Sequence, residues 1–146
     1  MSVTSRTTAA ALAHPHETVD EPVRPPLKWA GGKRWQVPHL LPIWEAHRQR
    51  RLVEPFCGGL AVALGLRPSD ALLNDANPHL INFYHWVKQG LRIKIKTEND
   101  EKAFYRGRER FNALLEAGTH ESEEAAALFY YLNRIPVNGW RPASIS

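Results

Sequence analysis

A short apolar segment that runs into a pair of glycines restricts the fold of this chain more than any other feature. Residues 51–57 read Arg-Leu-Val-Glu-Pro-Phe-Cys and lead into Gly58-Gly59. The apolar residues 60–66 follow, and they are long enough to form a short helix. A second short apolar segment, residues 71–74, ends at Asp75. A strand, a glycine turn, a helix and another strand are typical of βαβ units. The pattern therefore predicts an α/β fold.

Apolar spacing predicts helices before and after this unit. The first covers residues 35–50, but Pro38 and Pro42 interrupt its pattern, so we expect a short helix or one that begins late. Asn77-Pro78 is typical of a helix N-cap followed by proline at the first helical position, and this helix is expected to stop near Gly90. Two further helices are predicted, over residues 101–117 and 122–133.

Composition excludes several classes of protein. The 146 residues provide for one domain of ordinary size, and the apolar fraction of 43% is enough to build a core. No run approaches the roughly 20 apolar residues of a membrane-spanning helix, so we expect no membrane partner. A single cysteine, Cys57, excludes a disulfide-stapled domain and a cysteine-rich zinc module. The net charge of +4 permits a polyanionic partner without requiring one.

The first 26 residues lack any apolar period and are rich in Ser, Thr, Ala, His and Pro. We interpret residues 1–26 as a disordered leader. Their apolar patch is too short for a secretory signal, and their acidic residues argue against a transit peptide. The expected location is the cytoplasm.

Gly58, Gly59 and Asp75 together predict a cofactor that contains adenosine. In a doubly wound sheet the ligand binds beyond the carboxyl ends of the strands, and glycines after the first strand let a nucleotide approach the backbone. An acidic residue after the next strand can accept both ribose hydroxyls, and Asp75 follows Gly58 by about the expected distance. Because the turn does not match G-x-G-x-x-G, a cofactor without phosphate is favoured over a dinucleotide. S-adenosylmethionine is such a cofactor.

Each of these elements also has a plainer interpretation. Two glycines after a strand are commonly a simple turn, and an aspartate before Asn-Pro is commonly part of a helix cap. Trp29 fits a core position, and Lys28 and Lys33 fit a solvated surface. The scattered histidines show no metal-ligand spacing, and Cys57 fits a small buried residue better than a nucleophile. We assign no metal and no covalent catalysis.

Four ordered motifs nevertheless resemble those of Dam-type adenine-specific DNA methyltransferases, the D12 class. They are Lys28-Trp29-Ala30-Gly31-Gly32-Lys33, Glu54-Pro55-Phe56-Cys57-Gly58-Gly59, Asn74-Asp75-Ala76-Asn77-Pro78, and Phe129-Tyr130-Tyr131-Leu132-Asn133-Arg134 with Asn138-Gly139. The resemblance covers the N-terminal part of the family. It implies an incomplete Rossmann-like S-adenosylmethionine-dependent methyltransferase fold, with a cofactor-binding part over residues 27–90. It also implies that residues 91–146 begin a helical target-recognition region.

The same resemblance implies roles for individual residues. Trp29 and Lys33 are expected to border S-adenosylmethionine, the turn from Phe56 through Gly58 to Gly59 to pass beneath its methionine part, and Asp75 to hold its ribose. The expected partner is double-stranded DNA. The residues expected to contact DNA are Lys28, Arg34, Arg134, Asn138 and Arg141. A basic cluster in the first part of the chain consists of Lys28, Lys33, Arg34, Arg48, Arg50 and Arg51.

The chain departs from the family pattern in two places. The family's catalytic Asp-Pro-Pro-Tyr motif is absent, and the Pro25-Pro26 pair has the wrong flanks and lies before the cofactor motifs. In the segment after Arg134, Val137 replaces the expected aromatic residue and Arg141 comes one place early. A truncated gene or a frame shift near Arg134 explains both departures, and a divergent recognition loop is the alternative.

Sequence analysis therefore predicts part of an S-adenosylmethionine-dependent enzyme that methylates the exocyclic amine of adenine in duplex DNA. Without the catalytic motif, the chain is expected to be inactive alone. The alternatives are a non-catalytic module that binds DNA or cofactor, and half of a split enzyme completed by a second chain. An unrelated nucleotide-binding enzyme would leave the first and fourth motifs unexplained.

Overall fold

A computed structural model describes residues 23–95 and 100–135. A 3-10 turn, Arg34–Gln36, leads into the first of five α-helices that these residues form, and two strands lie between the helices. In chain order the elements are α1 (Val37–Glu45), β1 (Leu52–Glu54), α2 (Ala61–Leu66), β2 (Ala71–Leu73), α3 (Pro78–Lys88), α4 (Glu101–Glu116) and α5 (Glu123–Arg134).

The two strands pair in parallel, with Val53 opposite Leu72. This arrangement confirms the α/β class and the strand, turn, helix, strand order that the apolar pattern predicts. β1 ends at Glu54 rather than at Cys57, because Pro55 has no backbone N–H to donate to a ladder and the chain turns there. Beyond the turn, the Cys57 N–H still donates to the Asn74 carbonyl at 2.8 Å. The residues that follow β1 thus stay beside those that follow β2.

The helix boundaries follow local capping signals. The Asn77 side chain accepts hydrogen bonds from the backbone N–H groups of His79 and Leu80, which confirms the predicted start of α3. The Ser122 hydroxyl caps α5 in the same way by accepting from the Ala125 N–H. α1 is the short helix that its prolines predict, and Pro42 lies inside it. Each of these helices therefore begins where its sequence supplies a cap or tolerates a proline.

Most of the hydrophobic core lies between helices rather than against the sheet. α5 packs against both α3 and α4. A methyl group at Gly107 of α4 would lie 3.0 Å from Cε1 of Tyr131 in α5, so the small residue lets these two helices approach closely. The buried residues of this core include Leu27, Leu80, Phe83, Phe104, Phe111, Leu114, Leu128, Phe129, Tyr131 and Leu132. Residues before and after position 90 thus share one core, and the functional division there stays a prediction.

Candidate cofactor site

A cavity of about 300 Å³ lies where β1 and β2 end. Three segments line it: the loop from Trp29 to Lys33, the turn after β1, and Asp75 after β2. The cavity brings together all six residues that the sequence analysis assigns to the cofactor, namely Trp29, Lys33, Phe56, Gly58, Gly59 and Asp75. Phe56 is 81% exposed. Their shared location is a structural fact, whereas their contacts with a cofactor remain a prediction.

Two side chains hold Gly58 at both of its backbone polar groups. The Gly58 N–H donates to Asp75 Oδ2 at 2.9 Å, and the Tyr84 hydroxyl donates to the Gly58 carbonyl at 2.7 Å. Asp75 Oδ1 also accepts from the Asn77 N–H at 3.0 Å. Burial, with smaller contributions from Cys57 and Asp75, raises the pKa of Tyr84 above its usual range, so the phenol stays a donor. The turn after β1 is therefore held by Asp75, which follows β2, and by Tyr84 in α3.

Trp29 packs directly on the two glycines. Gly58 has a φ of +47°, and a Cβ there would lie 3.0 Å from Cδ1 and Nε1 of the indole. A Cβ at Gly59 would lie 3.0 Å from the Trp29 Cβ. We expected these glycines to admit a nucleotide, and the group that approaches them in this structure is the Trp29 side chain. The glycines thus shape the cavity wall as well as line it.

Glu54 is a cavity residue to which the sequence analysis gave a place in a strand and in the second family motif but no role at the cofactor. Its Oε2 atom is buried and has no hydrogen-bond partner among the residues that the structure describes. Burial raises the pKa of this carboxyl, and the Ala63 backbone N–H opposes that shift. A buried carboxylate oxygen without a partner is costly unless a donor or a cation reaches it. A charged residue at the end of an apolar strand was the signal that could have identified it.

Cys57 also lines the cavity but is poorly suited to nucleophilic chemistry. Burial, together with Asp75 and Glu54, raises the pKa of its thiol to about 11. The thiol is therefore protonated at neutral pH, and the thiolate is the reactive form. Residues 23–95 and 100–135 contain no group of three or more His, Cys, Asp or Glu side chains placed to hold a metal ion. Within the same residues, no helix has the length and apolarity required to cross a bilayer.

The residues assigned to DNA are only partly brought together. Lys28 Nζ donates to the Arg134 carbonyl at 3.4 Å, and the Arg134 guanidinium lies 5.7 Å from the centre of the Tyr130 ring. Arg34 lies in the 3-10 turn and lines a separate cavity with Val37 and Ala61. Asn138 and Arg141 lie outside the described residues.

Two cations of the predicted basic cluster have acidic neighbours. Arg48 pairs with Glu45 at 3.5 Å, and Arg51 pairs with Asp70 at 3.4 Å. All four side chains are largely exposed, so these pairs contribute little to stability. They reduce the net positive charge that the cluster presents to a polyanion.

Comparison with known proteins decides the family. The model of the D12 class of N6 adenine-specific DNA methyltransferases matches residues 29–143, which include every residue of the candidate site. The chain belongs to this D12 class. The resemblance drawn from the four motifs is thereby confirmed. The family description names adenine in DNA as the target of D12 members.

Curated proteins of similar sequence include DNA adenine methylases. The Type II methyltransferase M1.LlaDCHI of Lactococcus lactis subsp. cremoris is 34% identical over 125 residues, which cover 80% of this chain and 43% of that protein. The DNA adenine methylase of Haemophilus influenzae is also 34% identical, over 80% of this chain and 42% of its own length. A DNA adenine methylase of Vibrio cholerae is 36% identical, over 77% and 41%. This D12 chain thus spans about two fifths of the length of these relatives.

Proposed function

We propose that this chain forms the S-adenosylmethionine-binding part of a Rossmann-like enzyme that methylates the exocyclic amine of adenine in double-stranded DNA. The observation that carries the proposal is the single cavity that collects the six predicted cofactor residues at the ends of two parallel strands. Ligands of open α/β sheets bind at this edge. Membership of the D12 class supports the proposed reaction and substrate.

The chemistry of the cavity fits this cofactor. S-adenosylmethionine carries an ammonium group, a carboxylate and ribose hydroxyls, and it supplies an activated methyl group when bound. Glu54 offers a cationic donor a carboxylate oxygen that has no hydrogen-bond partner within residues 23–95 and 100–135. Asp75 keeps acceptor capacity for hydroxyl groups, because a carboxylate has about four acceptor positions and the Gly58 and Asn77 N–H groups use two. Lys33 is the cation at the rim that suits the carboxylate of the ligand.

In this proposal the chain's residues bind and orient rather than react. The turn held by Asp75 and Tyr84 would keep the ligand in a fixed position, which favours in-line transfer to an amine. The sequence contains no Asp-Pro-Pro-Tyr motif to hold the target adenine. We therefore expect these 146 residues alone to bind cofactor without transferring its methyl group. In this proposal, methyl transfer requires the catalytic motif, which these 146 residues do not contain.

Titration calorimetry with S-adenosylhomocysteine tests the cofactor assignment. We expect measurable binding of this demethylated form of the cofactor and none of ADP, because the turn does not have the G-x-G-x-x-G pattern that receives a pyrophosphate. Preference for ADP would favour an unrelated nucleotide-binding protein. Binding of neither ligand would contradict the proposed function.

A label-transfer assay tests the catalytic part of the proposal. Incubation with tritiated S-adenosylmethionine and duplex DNA should leave the DNA unlabelled when only these 146 residues are present. Addition of a D12-class chain that carries Asp-Pro-Pro-Tyr but lacks the cofactor motifs should restore labelling if the two chains complement each other. Labelling by the 146 residues alone would show that another polar group holds the adenine.

A further inference from the structure

Asn133, near the end of α5, contacts the backbone of the loop that forms one wall of the cofactor cavity. Its Oδ1 atom accepts from the Lys28 N–H at 2.9 Å, and its Nδ2 donates to the Lys28 carbonyl at 2.9 Å. The residue is only 8% exposed. One side-chain amide therefore satisfies both backbone groups of a residue 105 positions earlier in the chain.

The position of Lys28 makes this contact relevant to the cavity. Leu27, the preceding residue, is 4% exposed and belongs to the core that α5 shares with α3 and α4. Trp29, the following residue, packs on Gly58 and Gly59. The backbone between a core residue and the indole is thus held at its midpoint by a helix that lies outside the βαβ unit.

We infer that Asn133 is a positioning residue for the cofactor cavity, because it holds Trp29 against the glycine turn through the backbone of Lys28. Asn133 does not line the cavity, so its effect on a ligand passes through the loop. The identity of that ligand rests on the proposed function. A consequence is that the cofactor site depends on α5, although no residue of α5 lines the cavity.

Asn82 in α3 offers a matched control. It is also 8% exposed, and its Nδ2 donates to the carbonyls of His120 and Ser122, which precede α5. Asn133→Leu and Asn82→Leu each replace a buried amide by an apolar side chain of similar size. Only the change at Asn133 removes contacts with the loop that carries Trp29.

Hydrogen exchange without ligand tests the positioning role directly. In Asn133→Leu the amides of residues 28–33 should exchange about tenfold faster than in the wild type, because a buried hydrogen bond at each Lys28 backbone group is lost. Asn133→Asp keeps the acceptor for the Lys28 N–H but sets a second acceptor against the Lys28 carbonyl, so these amides should also exchange faster than in the wild type. Asn82→Leu should leave these amides unchanged. Unchanged exchange in Asn133→Leu would overturn the inference.

Calorimetry with S-adenosylhomocysteine, at a temperature where each variant is folded, tests the consequence for binding. Asn133→Leu should bind about tenfold more weakly than the wild type, whereas Asn82→Leu should bind equally well. Equal affinity of Asn133→Leu and the wild type would overturn the inference. Absence of binding by the wild type itself would contradict the proposed function instead, and the exchange of residues 28–33 would then decide the role of Asn133.

Discussion

The carboxylate of Asp75 accepts a hydrogen bond from the backbone N–H of Gly58 at 2.9 Å, so the residue that follows β2 supports the turn that follows β1. The plainer interpretation of Asp75, as part of the cap before α3, is also correct, since its second oxygen accepts from the Asn77 N–H. Together the two hydrogen bonds leave acceptor positions of the carboxylate unused. Asp75 can therefore organise the site and still receive a ligand.

Removal of the Asp75 carboxylate should weaken cofactor binding. Asp75→Ala is expected to reduce the affinity for S-adenosylhomocysteine by about 1.5–3 kcal/mol, because charge-assisted hydrogen bonds to the ribose are lost. Calorimetry measures the change. Asp100→Ala is the control, since Asp100 caps α4 by accepting from the Lys102 N–H and lies outside the cavity. Equal affinity of Asp75→Ala and the wild type would remove Asp75 from the binding site.

Removal of the Tyr84 hydroxyl separates support of the turn from contact with the ligand. Tyr84→Phe should lower the free energy of unfolding by about 1 kcal/mol, because the Gly58 carbonyl loses its donor. Its effect on S-adenosylhomocysteine affinity should be smaller than that of Asp75→Ala, since Tyr84 does not line the cavity. Urea denaturation and calorimetry provide the two measurements. Equal losses of affinity in the two variants would indicate that Asp75 acts only by supporting the turn.

A side chain at position 59 should disturb the packing of Trp29 on the glycine turn. The new Cβ of Gly59→Ala would lie 3.0 Å from the Trp29 Cβ, and overpacking of this kind costs about 1–3 kcal/mol. Gly59→Val should lower the stability further and should also reduce ligand binding. Gly32→Ala is the control, because its nearest neighbour is the Trp29 carbonyl at an ordinary 3.6 Å. Similar melting temperatures for Gly59→Ala and Gly32→Ala would contradict the packing described here.

Glu54 should make both folding and binding depend on pH. Its pKa is raised by burial, so the folded chain holds this proton at pH values where the unfolded chain has lost it. Stability should therefore fall as pH rises from the ordinary value of 4.5 through the raised one, and Glu54→Gln should remove that slope. Ligand affinity should rise over the same interval as the carboxylate ionises. A pH profile of binding that is identical in the wild type and Glu54→Gln would exclude Glu54 from contact with a cationic group.

Any binding of duplex DNA by the basic cluster should depend on salt and little on sequence. Phosphate contacts give a slope of log affinity against log salt of about −0.9 per phosphate, and they carry no base information. Lys33→Ala should make this slope shallower by about one unit if its ammonium reaches a phosphate. Lys88→Ala, at the end of α3, should leave the slope unchanged. Strong preference for one short adenine-containing site would show that the segment from Ile135 to Arg141 reads bases.

Local signals predicted the elements of this fold well, because helix caps and turns depend on neighbouring residues. Asn77, Ser122 and the glycines after β1 act within a few positions of themselves, and their effects were visible in the sequence. The length of β1 was overestimated. Apolar character continues to Cys57, whereas backbone pairing stops where Pro55 removes a donor.

The sequence by itself determined the α/β class, the family motifs and the six residues that prove to share one cavity. Only the tertiary structure decided that Glu54 lines the cavity with a buried oxygen that has no partner among the described residues, that Trp29 packs on the glycines, and that Asn133 holds the backbone of Lys28. The reason is physical. Caps and strand patterns arise from contacts between near neighbours, whereas desolvation of a carboxyl and pairing of residues 105 positions apart exist only after distant segments have packed together.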